Sequence, residues 1–346
     1  VNKLLSGAAI ALFLVCATAG SATINIETVP VGNPGNVGEL SGEGAGGYGP
    51  DRICGAVGYE YRIGKYEVTA EQYTEFLNAV AKTDTYGLYN TTMSNTSYGS
   101  GITRSGGGTV GDPYTYSVAS DFANRPVNFV GWGDSARFVN WLHNGQPTGA
   151  QDASTTEDGS YYLNGATSNS ALMAVTRKPN ATWVIPSEDE WYKAAYHKND
   201  GLTGNYFDYP TSSDTTPGRD MADVSGNNAN YYGNPYPIDS DKYTTVVGEF
   251  QNSDSPYGTF DQGGNVWEWN EAVFNDLSRG LRGGSFYLRY NYVSLLASGR
   301  GSPSFWPSSD ADFVGFRVSK VPEPVSMAIL ALGGTGMFVR RRGVRG

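Results

Sequence analysis

Soft metal ligands are scarce in this chain: its 346 residues hold two cysteines, Cys16 and Cys54, and two histidines, His143 and His197. Basic charge is also short, with 24 Lys and Arg against 34 Asp and Glu, a formal net charge of -10. A polyanion is repelled by that balance, so nucleic acid is excluded as a partner. Long apolar runs are confined to the two ends. No G-x-S-x-G elbow, H-E-x-x-H pair or phosphate-cradling P-loop occurs, and no repeat of fixed period is found. At the amino-terminal end, Lys3, the apolar run 4–15 and the small residues from Ala17 to Ala22 have the layout of a secretory signal peptide. Its removal over 1–22 takes Cys16 with it. Cys54 then stands alone, and no intrachain disulfide can form.

What the chain has in abundance is glycine (46), tyrosine (24) and proline (17). Glycine and proline punctuate regular structure, and the composition points to short strands and ordered turns, against a helical bundle. Length alone allows one large domain or two ordinary ones. Acidic side chains on a Gly- and Asn-rich surface suit calcium, a hard cation that takes oxygen ligands, with plain solubility as the alternative.

At the carboxyl end, Val321-Pro322-Glu323-Pro324 precedes an apolar stretch from Val325 to Val339 and the cluster Arg340, Arg341, Arg342 and Arg345. A comfortable membrane span needs about 20 apolar residues, so this stretch is a marginal permanent anchor, and the arginines keep its far side cytoplasmic. The segment 321–346 resembles a PEP-CTERM sorting tail, which implies cutting by an exosortase; an ordinary membrane anchor is the alternative.

Between the ends, 23–58 reads as a Gly-rich leader or edge strand and 59–320 as the domain proper. Tyr59, Tyr61 and Ile63 alternate with Glu60, Arg62 and Gly64, the pattern of a half-buried strand. Thr69 and Gln72 have capping-box spacing ahead of Tyr73, Phe76, Leu77 and Val80, which share one helical face. A second helix is predicted over 134–143 from Ala136, Phe138, Val139, Trp141 and Leu142. Ser187 and Glu190 open a third, with Trp191, Ala194 and Ala195 inward. The polar stretches 86–120 and 146–170 read as surface loops or insertions.

The most informative segment is Phe260-Asp261-Gln262-Gly263-Gly264-Asn265-Val266-Trp267-Glu268-Trp269. In extended backbone Trp267 and Trp269 share a face and Glu268 takes the other, so the indoles anchor in core while the carboxylate faces a pocket. The segment is similar to the G-N-V-W-E-W signature of the formylglycine-generating (sulfatase-modifying factor) family. Lys65-Tyr66-Glu67-Val68-Thr69, Pro126-Val127 with Trp132, Ile185 to Trp191, Arg282 to Phe286 and Gly315 to Val318 resemble that family's other motifs, in its order.

The resemblance implies an α+β fold of the C-type-lectin-like kind, with little regular structure and long, calcium-supported loops. It puts one calcium ion on the carboxylates of Asp261 and Glu268 and the carbonyls of Gly264 and Val266. Such an oxygen cage is what calcium takes at about 2.3 to 2.6 Å. The alternative is that Asp261 caps a turn and Glu268 pairs with an arginine. A second calcium ion falls on Asn230, the Tyr231 carbonyl, Asp241 and the Tyr243 carbonyl; Asp239 competes with Asp241 for the acidic role, and Asn230 has a turn-holding role as its alternative.

The family oxidises a substrate cysteine with copper held by two thiolates. Those positions fall on Leu288 and near Val293, neither of which binds copper, so neither that oxidase activity nor catalytic residues are expected. A related branch holds iron with three histidines, which two histidines cannot supply. The former active site, lined by Ser285, Tyr287, Leu288 and Arg289, becomes an apolar, aromatic pocket. The reading that follows is an exported, noncatalytic binding or structural module of the cell envelope or extracellular matrix, with exopolysaccharide as a ligand and calcium, not copper or iron, as its metal. The alternative is an enzyme of the same superfamily with altered, cysteine-independent chemistry.

Overall fold

Three short polar devices start the main helices. Thr69 Oγ1 accepts from the Gln72 N–H while Gln72 Oε1 accepts from the Thr69 N–H, and helix α1 (Ala70–Val80) follows. Asp134 Oδ2 accepts from the Gly131 N–H at 2.8 Å, which starts α2 (Trp132–His143) two residues ahead of the predicted position. Asp134 is thus the residue that reaches back to the cap, not the first residue of the helix. Ser187 and Glu190 form the reciprocal pair that opens α4 (Glu188–Tyr196), as predicted. A single-turn helix, α3 (Asn169–Ala174), lies between the last two.

This computed structural model of the chain describes residues 23–239, 241–274, 277–287, 292–301 and 305–322. The leader 1–22, the pocket residues Leu288 and Arg289, and the tail beyond 322 lie outside the described residues. The strands, in chain order, are β1 (Thr28–Val31), β2 (Glu39–Ser41), β3 (Arg52–Cys54), β4 (Tyr61–Gly64), β5 (Ile102–Ser105), β6 (Thr115–Val118), β7 (Trp183–Val184), β8 (Trp267–Phe274), β9 (Ser278–Arg282), β10 (Val314–Gly315) and β11 (Ser319–Lys320).

One sheet runs β1-β4-β11-β7, all antiparallel, so the two ends of the domain meet at its centre. β1, from the Gly-rich segment ahead of Tyr59, is an edge strand of this sheet. A second sheet runs β10-β8-β9, with β8 parallel to β10 and antiparallel to β9. Helices and mostly antiparallel strands in separate layers make the fold α+β. The principal core forms where α1 and α2 meet the strand end after β10: Phe138 contacts Phe76 and Phe316 edge-on, each with centroids 5.3 Å apart.

The polar stretch 86–120 is more than a surface loop. It contains the β5–β6 hairpin, in which Ile102 and Tyr116 are buried and the Asn78 side chain of α1 exchanges two hydrogen bonds with the Tyr116 backbone. Each strand offers the core about one residue, too few for a period-two pattern to register. The stretch 146–170 is likewise tied down, by the Arg137–Glu157 ion pair at 2.7 Å and by Asn140, whose amide donates to the Thr156 and Tyr161 carbonyls.

Candidate functional site

β8 is the middle strand of its sheet, and that position decides where its side chains go. Trp269 is fully buried, with its indole N–H donating to the Val130 carbonyl. Glu268, on the opposite face, is equally buried and does not face an open pocket. A strand covered on both faces has no solvent side. Both Glu268 oxygens accept from Arg317 at 2.6 Å, and Oε2 also accepts from the Trp191 indole at 2.6 Å. Arg317 comes from the G-F-R segment after β10 and Trp191 from α4, so three quoted motifs converge on one carboxylate.

The loop before β8 is held by left-handed backbone. Gly264 has φ +94°, and a Cβ there would stand 2.3 Å from the Asn230 carbonyl oxygen, so glycine is required. Asp261 also takes a positive φ and accepts the Gly248 N–H on Oδ2 at 2.6 Å. Asn265 Oδ1 accepts from the Thr245 N–H and from the Asn230 amide, while its own amide reaches Glu67 Oε2 at 3.4 Å. Glu67 is 2% exposed, and its Oε1 has no hydrogen-bond partner.

Three carboxylates, the buried Glu67 and Glu268 and the half-buried Asp261, therefore sense one guanidinium, Arg317. Burial, then the charges of Asp261 and Glu268, push the Glu67 carboxyl well above the usual range; the opposing pull of Arg317 is smaller. Burial raises Asp261 to about 6 against the pull of the Gly248 N–H and Arg317. The excess of negative charge must be offset by protons or by a cation. As a calcium cage the first predicted set is suited in charge, although Glu268 is already engaged by Arg317 and Trp191. Among the described residues no three of His, Cys, Asp and Glu are grouped closely enough to hold a metal by side chains alone, so backbone carbonyls would have to share the task.

The second predicted set is drawn together only in part. The Asn230 amide donates to the Tyr243 carbonyl at 2.9 Å. The Tyr231 carbonyl accepts from the Arg219 guanidinium at 2.6 Å, a contact a cation would have to displace. Asp241 is exposed and its N–H donates to Asp239, whose carboxylate pairs with Arg125. As arranged, this set does not fit a calcium ion.

Around the R-G-G-S element, Arg282 and Arg300 reach the same carboxylate, Glu188 of α4, at 2.9 and 2.7 Å, and Arg52 joins them at 2.6 Å. Cys54 packs beside this group, 3.4 Å from Arg282, and is buried and unpaired; burial pushes its thiol up to about 11. Ser285 is buried with Oγ accepting from the Tyr287 N–H. Val293 sits in the turn 292–295.

Next to Ser285 the chain builds a row of rings. Tyr232, Tyr236, Tyr243, Phe286, Tyr287 and Phe313 follow one another with centroids 4.9 to 6.4 Å apart. Phe305 continues the row from Phe313. Tyr287 lies flat on Phe313, 5.1 Å away at 4°, and is 40% exposed. Sequence reasoning placed Tyr287 here, gave Tyr243 only a carbonyl role in the second calcium set, and missed Tyr236 and Phe313, which come from distant segments with no shared motif. It also quoted Glu67 within a motif without giving it a role; a lone carboxylate between Tyr66 and Val68 was the available signal. Both histidines lie at helix ends, His143 bonded to Thr182 and His197 buried against Tyr257.

No curated protein matches the chain. Among solved structures, variable protein 1 of Treponema denticola is similar over 88% of this chain and 98% of its own, with 17% identity and a TM-score of 0.51. CarF is similar over 87% and 100%, at 20% identity and TM-score 0.49, and PvdO from Pseudomonas aeruginosa over 86% and 92%, at 18% and 0.44. Residues 55–321 match the sulfatase-modifying factor enzyme 1-like domain, which takes in every motif from the K-Y-E-V-T segment to the G-F-R segment. This chain therefore belongs to the sulfatase-modifying factor enzyme 1-like family.

Proposed function

We propose that this protein is a noncatalytic member of its family, exported across the inner membrane, that serves as a binding module of the cell envelope or extracellular matrix. The frame is read as a C-type-lectin-like version of the fold, supported by calcium at Asp261, Glu268 and the Gly264 and Val266 carbonyls. The observation that carries this reading is the ring row beside Ser285. On the resemblance the family's cysteine positions fall on Leu288 and near Val293, and the rings beside Ser285 offer aromatic faces in place of thiolates. Such rings present an apolar face with a hydroxyl at the edge, the combination that packs on the C–H face of a sugar while bonding its hydroxyls. Exopolysaccharide is the ligand class this favours.

The sorting reading rests on the tail: transient anchoring by the apolar stretch 325–339 and processing by exosortase-type machinery would leave the domain at the surface. Deleting 321–346 is expected to release the protein from the envelope. Retention of the truncated chain there would remove the sorting role.

The test of ligand binding is a glycan array and an exopolysaccharide pull-down, each with calcium and with chelator. Binding that falls when Tyr287 is changed to Ala supports the reading; no glycan retained in either condition sinks it. Stoichiometric copper or iron in the purified protein, or turnover of a cysteine-bearing sulfatase-type peptide, would replace it with an enzyme.

A further inference from the structure

The row of rings beside Ser285 differs from the other aromatic clusters in what its hydroxyls do. In the core, the hydroxyls of Tyr73, Tyr116 and Tyr196 donate to the carbonyls of Leu88, Ala81 and Leu295. Along the row, the hydroxyls of Tyr232, Tyr236, Tyr243 and Tyr287 have no such partner among the described residues. All four residues are half-buried or exposed, so the row is reached from outside. One carboxylate stands among them. Asp312 directly precedes Phe313, the ring that lies flat on Tyr287. Burial, then Tyr243, Asp312, Tyr287 and Tyr232, raise the Tyr236 hydroxyl, which puts the Asp312 charge beside it. Asp312 is half-buried; burial raises its carboxyl, opposed by its own N–H and that of Phe313, and no lysine or arginine pairs with it among the described residues.

We propose that the ring row takes a polysaccharide bearing unsubstituted amino groups, a hexosamine chain whose ammonium sits on the Asp312 carboxylate while a sugar ring lies on the open face of Tyr287. This inference rests on the glycan reading above and names the class of glycan. Charge decides the class. A sugar spanning Tyr287 and Tyr236 covers Asp312, and a neutral sugar takes water from that carboxylate without replacing it, which is unfavourable. An ammonium restores a charge-assisted bond, and the tyrosine faces attract a cation as well. A uronate or sulfated sugar meets the same carboxylate on a chain of net charge -10 and is repelled. The free tyrosine hydroxyls both donate and accept, so they serve the sugar hydroxyls without choosing among charges.

The test is calorimetric titration of the full chain with a glucosamine hexamer, its N-acetylated counterpart, cellohexaose and a galacturonate hexamer. The glucosamine hexamer is expected to bind at least about tenfold more tightly than the acetylated and neutral ones, as one added charge-assisted bond provides, and the galacturonate not to bind. Asp312→Asn should bring the glucosamine hexamer down to the level of the acetylated one and leave the latter unchanged. Tyr287→Ala should weaken both; it leaves the overall charge untouched and carries the test should Asp312→Asn fail to fold. Equal binding of the amine, acetylated and neutral hexamers overturns this inference and leaves the glycan reading standing, as does a preference for galacturonate. Amine binding that survives in every folded variant assigns it to the overall negative charge and overturns it too. If no hexamer binds, the glycan reading and this inference fall together.

Discussion

Glu188 and Glu67 are both sealed from water, and the chain treats them in opposite ways. Around Glu188 stand Arg52, Arg282 and Arg300, with distances of 2.6 to 2.9 Å. Burial would raise this carboxyl, but Arg282, Arg300 and Arg52 together hold it down to about 2. Around Glu67, Asp261 and Glu268 there is one arginine, and Arg317 spends both its forward nitrogens on Glu268. The first region is a closed electrostatic joint that ties β3, α4, β9 and the segment after 297 together. The second holds more carboxylate than its own residues neutralise. A joint needs nothing from outside, whereas an imbalance is what a ligand, a metal ion or a proton can answer. The region around the R-G-G-S element is on this account the structural one, and the region around the glutamate of K-Y-E-V-T is the one left with charge to neutralise.

The sharpest way to break this contrast is to remove Glu188. Glu188→Ala leaves Arg282 and Arg300 buried without a carboxylate, and removing one partner of such a pair costs about 3 to 5 kcal/mol. Urea unfolding should show a midpoint lowered accordingly; a loss below about 1 kcal/mol would mean that the joint is ornamental. A second, somewhat smaller effect separates the two regions by pH. Glu188, held at about 2 against an ordinary 4.5, contributes about 3 kcal/mol that is present above pH 4.5 and lost as pH falls toward 2. Glu67 has the opposite sign. Its folded form keeps a proton that the unfolded chain has released, so its contribution falls as pH rises from the ordinary carboxylate range toward its raised value. Melting temperature against pH should therefore lose its acid limb in Glu188→Gln and flatten on the alkaline side in Glu67→Gln.

What the sequence made legible follows the range of the forces involved. Local signals survived well: the capping boxes at Thr69 and Ser187 mark α1 and α4, because the interacting groups are three residues apart. The indole of Trp269 was placed in core correctly. The partner of Glu268 was not chosen, because Arg317 lies 49 residues away and nothing in spacing distinguishes it from Arg282 or Arg300. The β5–β6 hairpin escaped for a related reason: Ile102 and Tyr116 are single buried residues that only α1 makes meaningful. Glu67 was invisible as a site because an unpaired oxygen is a property of what surrounds it. The ring row was half legible, since Phe286 and Tyr287 adjoin a motif while Tyr236 and Phe313 arrive from elsewhere.

Calcium offers a third comparison. With a cation among Asp261 and its neighbouring carbonyls, unfolding should be opposed by about 2.7 kcal/mol at a hundredfold excess of calcium over Kd, and chelator should lower the melting temperature. An unchanged melt in chelator would assign the imbalance to protons and leave the two regions different in pH behaviour alone.

The smallest expected effect is also the most diagnostic. Glu67→Gln keeps the size of the side chain and removes the ionisation that burial penalises, and Asn265 can still be met by the new amide oxygen. Replacing a buried, poorly paired ionisable group by a neutral isostere is near neutral or favourable, so stability at pH 8 should change by no more than about 1 kcal/mol and in the upward direction. Glu188→Gln measured beside it should fall by several times that amount, because the buried Arg282 and Arg300 lose their counter-charge, while Arg52 keeps Asp189. Equal and large losses in both variants would show that Glu67, like Glu188, holds the fold together. A gain at Glu67 alone would mark it as a group kept at some cost to stability, in contrast to Glu188.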